Sequence, residues 1–440
     1  MARCSTFISH SGTAARRGDI CCAVIIMLTN VISNVIFVNM IPRNLEIPVR
    51  KYASQYPVIG IVGPRQSGKT TLARHLFPDH RYLSLENLDM RQLAEEDPRT
   101  FLEDFGDRLI IDEIQRAPGL FSYLQEKVDM NDDPGRYVVT GSQQFLMMEQ
   151  ISQSLAGRII IFSLYPFTTN ELFLQGMDKE PYDVITINAE KKHGEPSTEA
   201  ADLIFSGMYP RIHDKKLDAR KWIENYILTY IERDIRSLVN VENLKMFENF
   251  IQVCASRTGQ ILNFASISGE TGVSQPTVKR WLSLLETSGI VFLLQPYHRN
   301  FSKRILKNPK LYFIDTGIAC YLLSIRNRDM LITHPLYGSL FETFVIGNMF
   351  RRIQHMGERP PLYYWRDRTG KEIDCVFDTG EKPVPIEIKS AKTYSRDFTS
   401  TLQYWKDLPG NTMEKGLVVY NGKDTIGKKE DITIVPWWRL

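Results

Sequence analysis

From Ile41 to about Tyr165, short apolar runs alternate with stretches in which apolar residues recur at helical spacing. The runs Val58 to Val62, Arg81 to Leu85, from Leu109, from Tyr137, and Arg158 to Ser163 predict strands. Between them, Thr70 to Leu76, Asp89 to Asp97 and Gly119 to Met130 predict helices. Strands that are apolar on both faces and separated by helices specify a mostly parallel sheet covered on both sides. Further along, Trp222, Ile223, Tyr226, Ile227, Tyr230 and Ile231 fall at helical spacing within Asp218 to Leu238, as core residues of one helix do. The run from Ile261 to Tyr297 predicts a short helix, a turn at Gly272, and a helix Gln275 to Thr287 with Val278, Leu282 and Leu285 facing inward. A turn at Gly289 then leads into a strand.

The pattern places one loop where chemistry is expected. Val58 to Leu72 reads VIGIVGPRQSGKTTL, and Gly63 to Thr70 fits G-x-x-x-x-G-K-[ST] between a strand and a helix. Such a loop turns successive backbone N–H groups toward one centre, and the helix start adds the positive end of its dipole. Phosphates of ATP are therefore expected at Gly63, Pro64, Arg65, Gln66, Ser67, Gly68, Lys69, Thr70 and Thr71. Lys69 would reach the terminal phosphates, and the Thr70 hydroxyl would bind Mg²⁺.

About 40 residues downstream, RLIIDE (Arg108 to Glu113) brings a pair of acids to a strand end. Asp112 is expected to orient the water shell of Mg²⁺ and Glu113 to polarise the attacking water. The next strand ends in Gly141, Ser142 and Gln143, and Ser142 is expected between the γ-phosphate and that water. Arg158 offers a guanidinium for the transferring phosphoryl group, in cis or, in a homo-oligomer, in trans.

Taken together, GPRQSGKTTL, LIIDEIQRAP, VTGSQQF, the SLAGRI segment and YPFTTNEL resemble a large prokaryotic family of AAA+-superfamily ATPases. Later marks are GMYPRI (Gly207 to Ile212) and YIERDI (Tyr230 to Ile235), so the resemblance runs from Ile41 to the C-terminus. It implies an ATP-dependent P-loop switch joined to a C-terminal domain of unknown function, and it supplies no substrate.

The second half carries two further resemblances. Ile261 to Tyr297 resembles a winged helix-turn-helix, whose second helix would present Gln275, Thr277, Lys279 and Arg280 to DNA. Arg299, Lys303, Arg304, Lys307 and Lys310 follow where a wing would lie and suit phosphate contacts. A lid that packs on the ATPase is the other reading. From about Pro335, Glu342 on a helix, Asp374 on a strand and Glu387-Ile388-Lys389 on the next resemble the PD-(D/E)xK nuclease fold. Alternation along the strand puts Glu387 and Lys389 on one face. The resemblance implies carboxylates around Mg²⁺ or Mn²⁺ and a lysine at the hydrolytic water, and it leaves cleavage and binding without cleavage both open.

The fold class so read is α/β: a P-loop NTPase sheet, then a helical and winged-helix region, then an α/β nuclease-like unit. Expected boundaries are 1–40 for an N-terminal extension, 41–175 for the ATPase, 176–202 for a polar loop, 203–334 for the helical region and 335–440 for the last unit. Net charge is only +3, so any DNA surface must be a local patch. Six scattered cysteines without C-x-x-C spacing suggest neither a zinc site nor a disulfide framework, which makes a reducing cytoplasm the simplest compartment. Ile20 to Met40 is apolar enough to be weighed as a membrane span, but Asn30, Ser33, Asn34 and Asn39 interrupt it. An anchor and a signal-like segment are the alternatives to the favoured reading, an extension outside the fold with Met40 as the natural start.

Overall fold

The computed structural model describes residues 40–142, 154–176, 178, 180–186, 195–229, 244–297, 308–408, 413, 415–429 and 431–440. The apolar N-terminal stretch, the YIERDI segment, and Arg299, Lys303, Arg304 and Lys307 therefore lie outside the described residues. Pro42–Leu440 forms one compact unit, distinct from Met1–Ile41. Among the described residues no helix is long and apolar enough to cross a membrane.

The unit opens with α1 (Glu46–Ala53), β1 (Val58–Val62), α2 (Lys69–Leu76) and β2 (Arg81–Ser84). Then come α3 (Leu88–Glu96), α4 (Pro98–Phe105), β3 (Leu109–Asp112), α5 (Leu120–Met130), β4 (Tyr137–Gly141) and β5 (Ile159–Ser163). The five strands are parallel in the order β2-β3-β4-β1-β5. Successive side chains leave a strand on opposite faces, and here both faces are covered. Val58, Val62, Leu109, Ile111 and Val139 meet Phe101 of α4 and Leu120, Leu124 and Val128 of α5. Ile59, Ile61, Ile110 and Val138 meet Leu45, Val49 and, from α2, Leu72, Ala73 and Leu76. This is the expected sheet. The sequence reading missed α4, whose cap Asp97 accepts from Thr100 N at 3.0 Å and is followed at once by Pro98.

The chain continues through α6 (Ala219–Tyr226), α7 (Leu244–Ser256), β6 (Gln260–Ile261), α8 (Phe264–Thr271) and α9 (Gln275–Thr287). Gly272 turns between α8 and α9 at φ 74°, a left-handed value suited to glycine, and Ser274 caps α9. Next are β7 (Val291–Pro296), β8 (Lys310–Phe313), α10 (Tyr337–Gln354), β9 (Leu362–Arg366), β10 (Glu372–Phe377) and β11 (Val384–Lys389). The last elements are α11 (Ser400–Asp407), β12 (Gly416–Tyr420), β13 (Ile426–Lys429) and β14 (Ile432–Pro436).

A nine-stranded mixed sheet runs β13-β14-β12-β11-β10-β9-β7-β8-β6. Its seam is the parallel pairing of β7 with β9, Gln295 beside Tyr363 and Pro296 beside Tyr364. The strands around α8 and α9 and those carrying the later acids are therefore one continuous sheet. A parallel sheet, then helices, then a mixed α/β sheet is the architecture expected from the pattern.

Candidate functional site

The loop after β1 is shaped by its glycines. Gly63 has φ 141°, and a Cβ there would lie 2.2 Å from the Leu164 carbonyl oxygen, so no larger residue fits. Gly68, at φ 99°, ends the loop and begins α2. Lys69 is buried and donates from Nζ to the carbonyls of Gly63 at 3.0 Å and Pro64 at 2.9 Å. Burial lowers its pKa, against the pull of the Glu113 and Asp112 carboxylates. Ser67 Oγ is buried with no hydrogen-bond partner among the described residues. A cationic Nζ resting on neutral carbonyls and an orphaned hydroxyl suit a loop built around an anion.

The acids arrive at the same edge of the sheet. Thr70 Oγ1 donates to Asp112 Oδ1 at 2.9 Å, Tyr82 OH to Asp112 Oδ2 at 2.9 Å, and Thr140 Oγ1 also donates to Oδ1. Glu113 lies just past β3 at φ 57°, ψ 45°, a left-handed backbone that a glutamate seldom adopts. Its Oε2 accepts from Ser142 Oγ at 2.8 Å and from Gln115 Nε2. Burial alone would raise the pKa of Glu113, but Lys69, Ser142 and Gln115 together hold it below the usual carboxylate value. β4 lies between β1 and β3, which seats Ser142 between the loop and Glu113. Lys69, Thr70, Asp112, Glu113 and Ser142 are thus brought together at one edge of the sheet. Thr70 and Asp112 are the residues that would hold a Mg²⁺ ion here, and the ion would supply positive charge to the phosphates.

Arg158 is placed elsewhere. It immediately precedes β5, and its carbonyl accepts from Val58 N at the start of β1, the sheet edge opposite the loop. Its guanidinium pairs with Asp129 at 2.5 and 3.0 Å. A strand of five residues is ~17 Å long, so a role for Arg158 in cis at the γ-phosphate is corrected to an ion pair at the far edge.

Three contacts around the loop were not legible in the motif. Arg43, buried, donates from Nη1 to Ser67 O at 2.8 Å, from Nη2 to Tyr165 O at 2.6 Å and from Nε to Glu171 at 3.2 Å. Glu171 Oε1 also receives Asn44 N at 2.8 Å and His355 Nδ1 at 3.2 Å, while His355 Nε2 accepts from Tyr165 N at 3.0 Å. His355 directly follows α10, so one buried network ties the phosphate loop to the C-terminal half. Tyr226, which ends α6, donates to Arg65 O at 3.3 Å and packs among Tyr209 and Trp222. A Cβ at Gly289 would lie 3.0 Å from Pro64 Cδ, so the turn after α9 rests on the loop.

On α9, Gln275, Lys279 and Arg280 are exposed, whereas Thr277 is half-buried and bonded to the Ser274 cap. The Lys279 ammonium lies 5.2 Å from the centre of the Phe264 ring. Lys310 is corrected from a wing cation to a buried residue of β8. Glu342, Asp374, Glu387 and Lys389 do gather on α10, β10 and β11, and Lys389 Nζ donates to Glu387 Oε2 at 2.6 Å. Among the described residues, however, no group of three His, Cys, Asp or Glu side chains could hold a metal ion as these side chains now stand. Glu342 Oε1 is occupied by Lys310 Nζ at 3.1 Å and Tyr312 OH at 2.5 Å, and Asp374 Oδ2 accepts from Ile388 N at 2.7 Å. The metal implied by the nuclease resemblance does not fit this arrangement.

Comparison with known proteins agrees with the first half of this description. The family described as an AAA domain matches residues 55–173. Two domains of unknown function, DUF8612 and DUF4143, match 197–329 and 337–440. With the geometry above, residues 55–173 carry an AAA-type P-loop ATPase fold. The chain is similar to an uncharacterized protein of Mycobacterium tuberculosis, 29% identical over 90% of this chain and 83% of that one. Another, from Methanocaldococcus jannaschii, is 23% identical over 90% of each chain. Among solved structures, a Walker-type ATPase of Pyrococcus abyssi matches at 12% identity over 64% of this chain and 96% of that one, with a TM-score of 0.39.

Proposed function

We propose that the chain binds and hydrolyses ATP with Mg²⁺ and uses the change of nucleotide as a switch read by its C-terminal half. The observation that carries this is the convergence of Lys69, Thr70, Asp112, Glu113 and Ser142 at one edge of the parallel sheet. The loop N–H groups and Lys69 would hold the phosphates of ATP. Mg²⁺ beside Thr70 and Asp112 would neutralise phosphate charge. Glu113, kept ionised by Lys69, Ser142 and Gln115, would orient and polarise the attacking water, with Ser142 fixing the carboxylate. Phosphate release from ATP that needs Mg²⁺ and stops in EDTA is the direct test; its absence would sink the hydrolytic reading.

The switch part rests on the three contacts to the loop. A phosphate drawing Lys69 away from the Gly63 and Pro64 carbonyls would shift groups that Arg43, Tyr226 and Gly289 touch. A domain that senses nucleotide without cutting is favoured over a nuclease by the occupied carboxylates of Glu342 and Asp374.

DNA is the ligand we propose for α9. The order α7, β6, α8, α9, β7, β8, with antiparallel β7 and β8, supports a winged helix whose exposed second helix carries Gln275, Lys279 and Arg280. Replacing both Lys279 and Arg280 with alanine is expected to weaken duplex binding and to reduce the slope of log K against log salt by about 2. An unchanged slope in titrations at several salt concentrations would remove α9 from the DNA-binding surface.

A further inference from the structure

The acidic cluster on α10 and β10 has a cation of its own. Lys310 comes from β8, the strand that closes the helix-turn-helix, and its side chain is only 2% exposed. Its ammonium bonds to Glu342 at 3.1 Å and to Glu372. Tyr312, two residues along the same strand and so on the same face, donates to the same Glu342 oxygen. Asp374 stands close enough to Lys310, Glu342 and Glu387 to act on their charge, Glu342 acts likewise on Glu387, and Lys389 pairs with Glu387. One carboxylate oxygen is left over: Glu387 Oε1 is buried and has no hydrogen-bond partner among the described residues, in a side chain 2% exposed.

Burying several carboxylates together demands a compensating positive charge. A divalent ion is one solution and a desolvated ammonium is another. We propose that the Lys310 ammonium is the resident cation of this cluster and excludes divalent metal from it. The same ammonium ties β8 to α10 and β10, so the acids serve as a joint between the helix-turn-helix and the last unit. Neutralising Lys310 with its stem kept leaves Glu342, Asp374 and the unpartnered Glu387 oxygen in need of a cation, which a metal then supplies. This inference is independent of the ATPase reading.

The test is Mn²⁺ binding by the full chain without nucleotide, followed by the electron paramagnetic resonance of free Mn²⁺ and by the melting temperature. Glu387→Gln serves to subtract any Mn²⁺ bound elsewhere. Wild type and Lys310→Arg are expected to show no Glu387-dependent site. Lys310→Met is expected to gain one, and to melt higher with Mn²⁺ than without. A Glu387-dependent Mn²⁺ site in wild type would overturn the proposal, because the ammonium would then exclude nothing. So would a Lys310→Met chain whose melting does not respond to Mn²⁺, whether it folds or not. Phosphate release from ATP, measured on the same preparations, keeps failure here separate from failure at the P-loop.

Discussion

Glu171→Ala is expected to lower stability by about 3–5 kcal/mol, because it leaves the buried Arg43 guanidinium without its counter-charge. Arg43 is 4% exposed and Glu171 3%, so water replaces little of what is lost. The same substitution orphans Asn44 N, Thr168 N and His355 Nδ1, each of which donates to this carboxylate. Burial works against ionisation of Glu171, but Arg43, His355 and the Thr168 N–H hold its pKa well below the ordinary 4.5. A carboxylate depressed on folding contributes fully above its unfolded pKa, and the contribution is lost as pH falls through the folded value. The excess stability of wild type over Glu171→Ala should therefore be flat above about pH 4.5 and shrink below it. Denaturant melts of the full chain measure it. Arg43→Met with Glu171→Gln should cost less than the sum of the single changes, since no buried charge is then left alone. A Glu171→Ala chain within about 0.5 kcal/mol of wild type would mean that the network is relaxed by water and carries no clamp.

Lys69→Ala has the largest expected effect on activity. Among the described residues Nζ bonds only to the Gly63 and Pro64 carbonyls, so its loss removes a desolvated charge rather than a packing contact, and the fold should survive. The terminal phosphates lose their cation, and turnover is expected to fall by about 10²–10³ with weakened ATP binding. Equilibrium titration with a fluorescent ATP analogue, beside phosphate release, separates the two losses. Turnover at the wild-type rate would mean that the phosphates sit elsewhere.

The parallel sheet was legible in the sequence because both faces of its three central strands, β1, β3 and β4, are buried, which writes a continuous apolar run where a half-exposed strand would alternate. The helix Gln275–Thr287 was legible for a different reason: Ser274 caps it, Gly272 precedes the cap, and its apolar residues keep helical spacing. Lys69, Thr70, Asp112, Glu113 and Ser142 were legible because each sits at a strand end or helix start whose position the local pattern dictates. Arg43, Glu171 and His355 were not. They lie 128 and 184 residues apart in sequence, and nothing local distinguishes a buried arginine from an exposed one. Lys310 misled for the same reason, since a lysine in a basic run reads as a wing cation until the acids of α10 and β10 are folded around it. Arg158 shows the limit of motif order, which does not say at which edge of the sheet a residue falls.

The central claim is that Glu113 directs water at ATP bound on the P-loop. Glu113→Gln keeps the shape and a hydrogen-bonding group beside Ser142 and Gln115 while removing the charge. The measurement that tests it most directly is ATP affinity and phosphate release on the same Glu113→Gln preparation with Mg²⁺. The account predicts affinity within about three-fold of wild type, with turnover reduced by about 10²-fold or more. Unaltered turnover with unaltered binding would contradict it and assign the water to another residue.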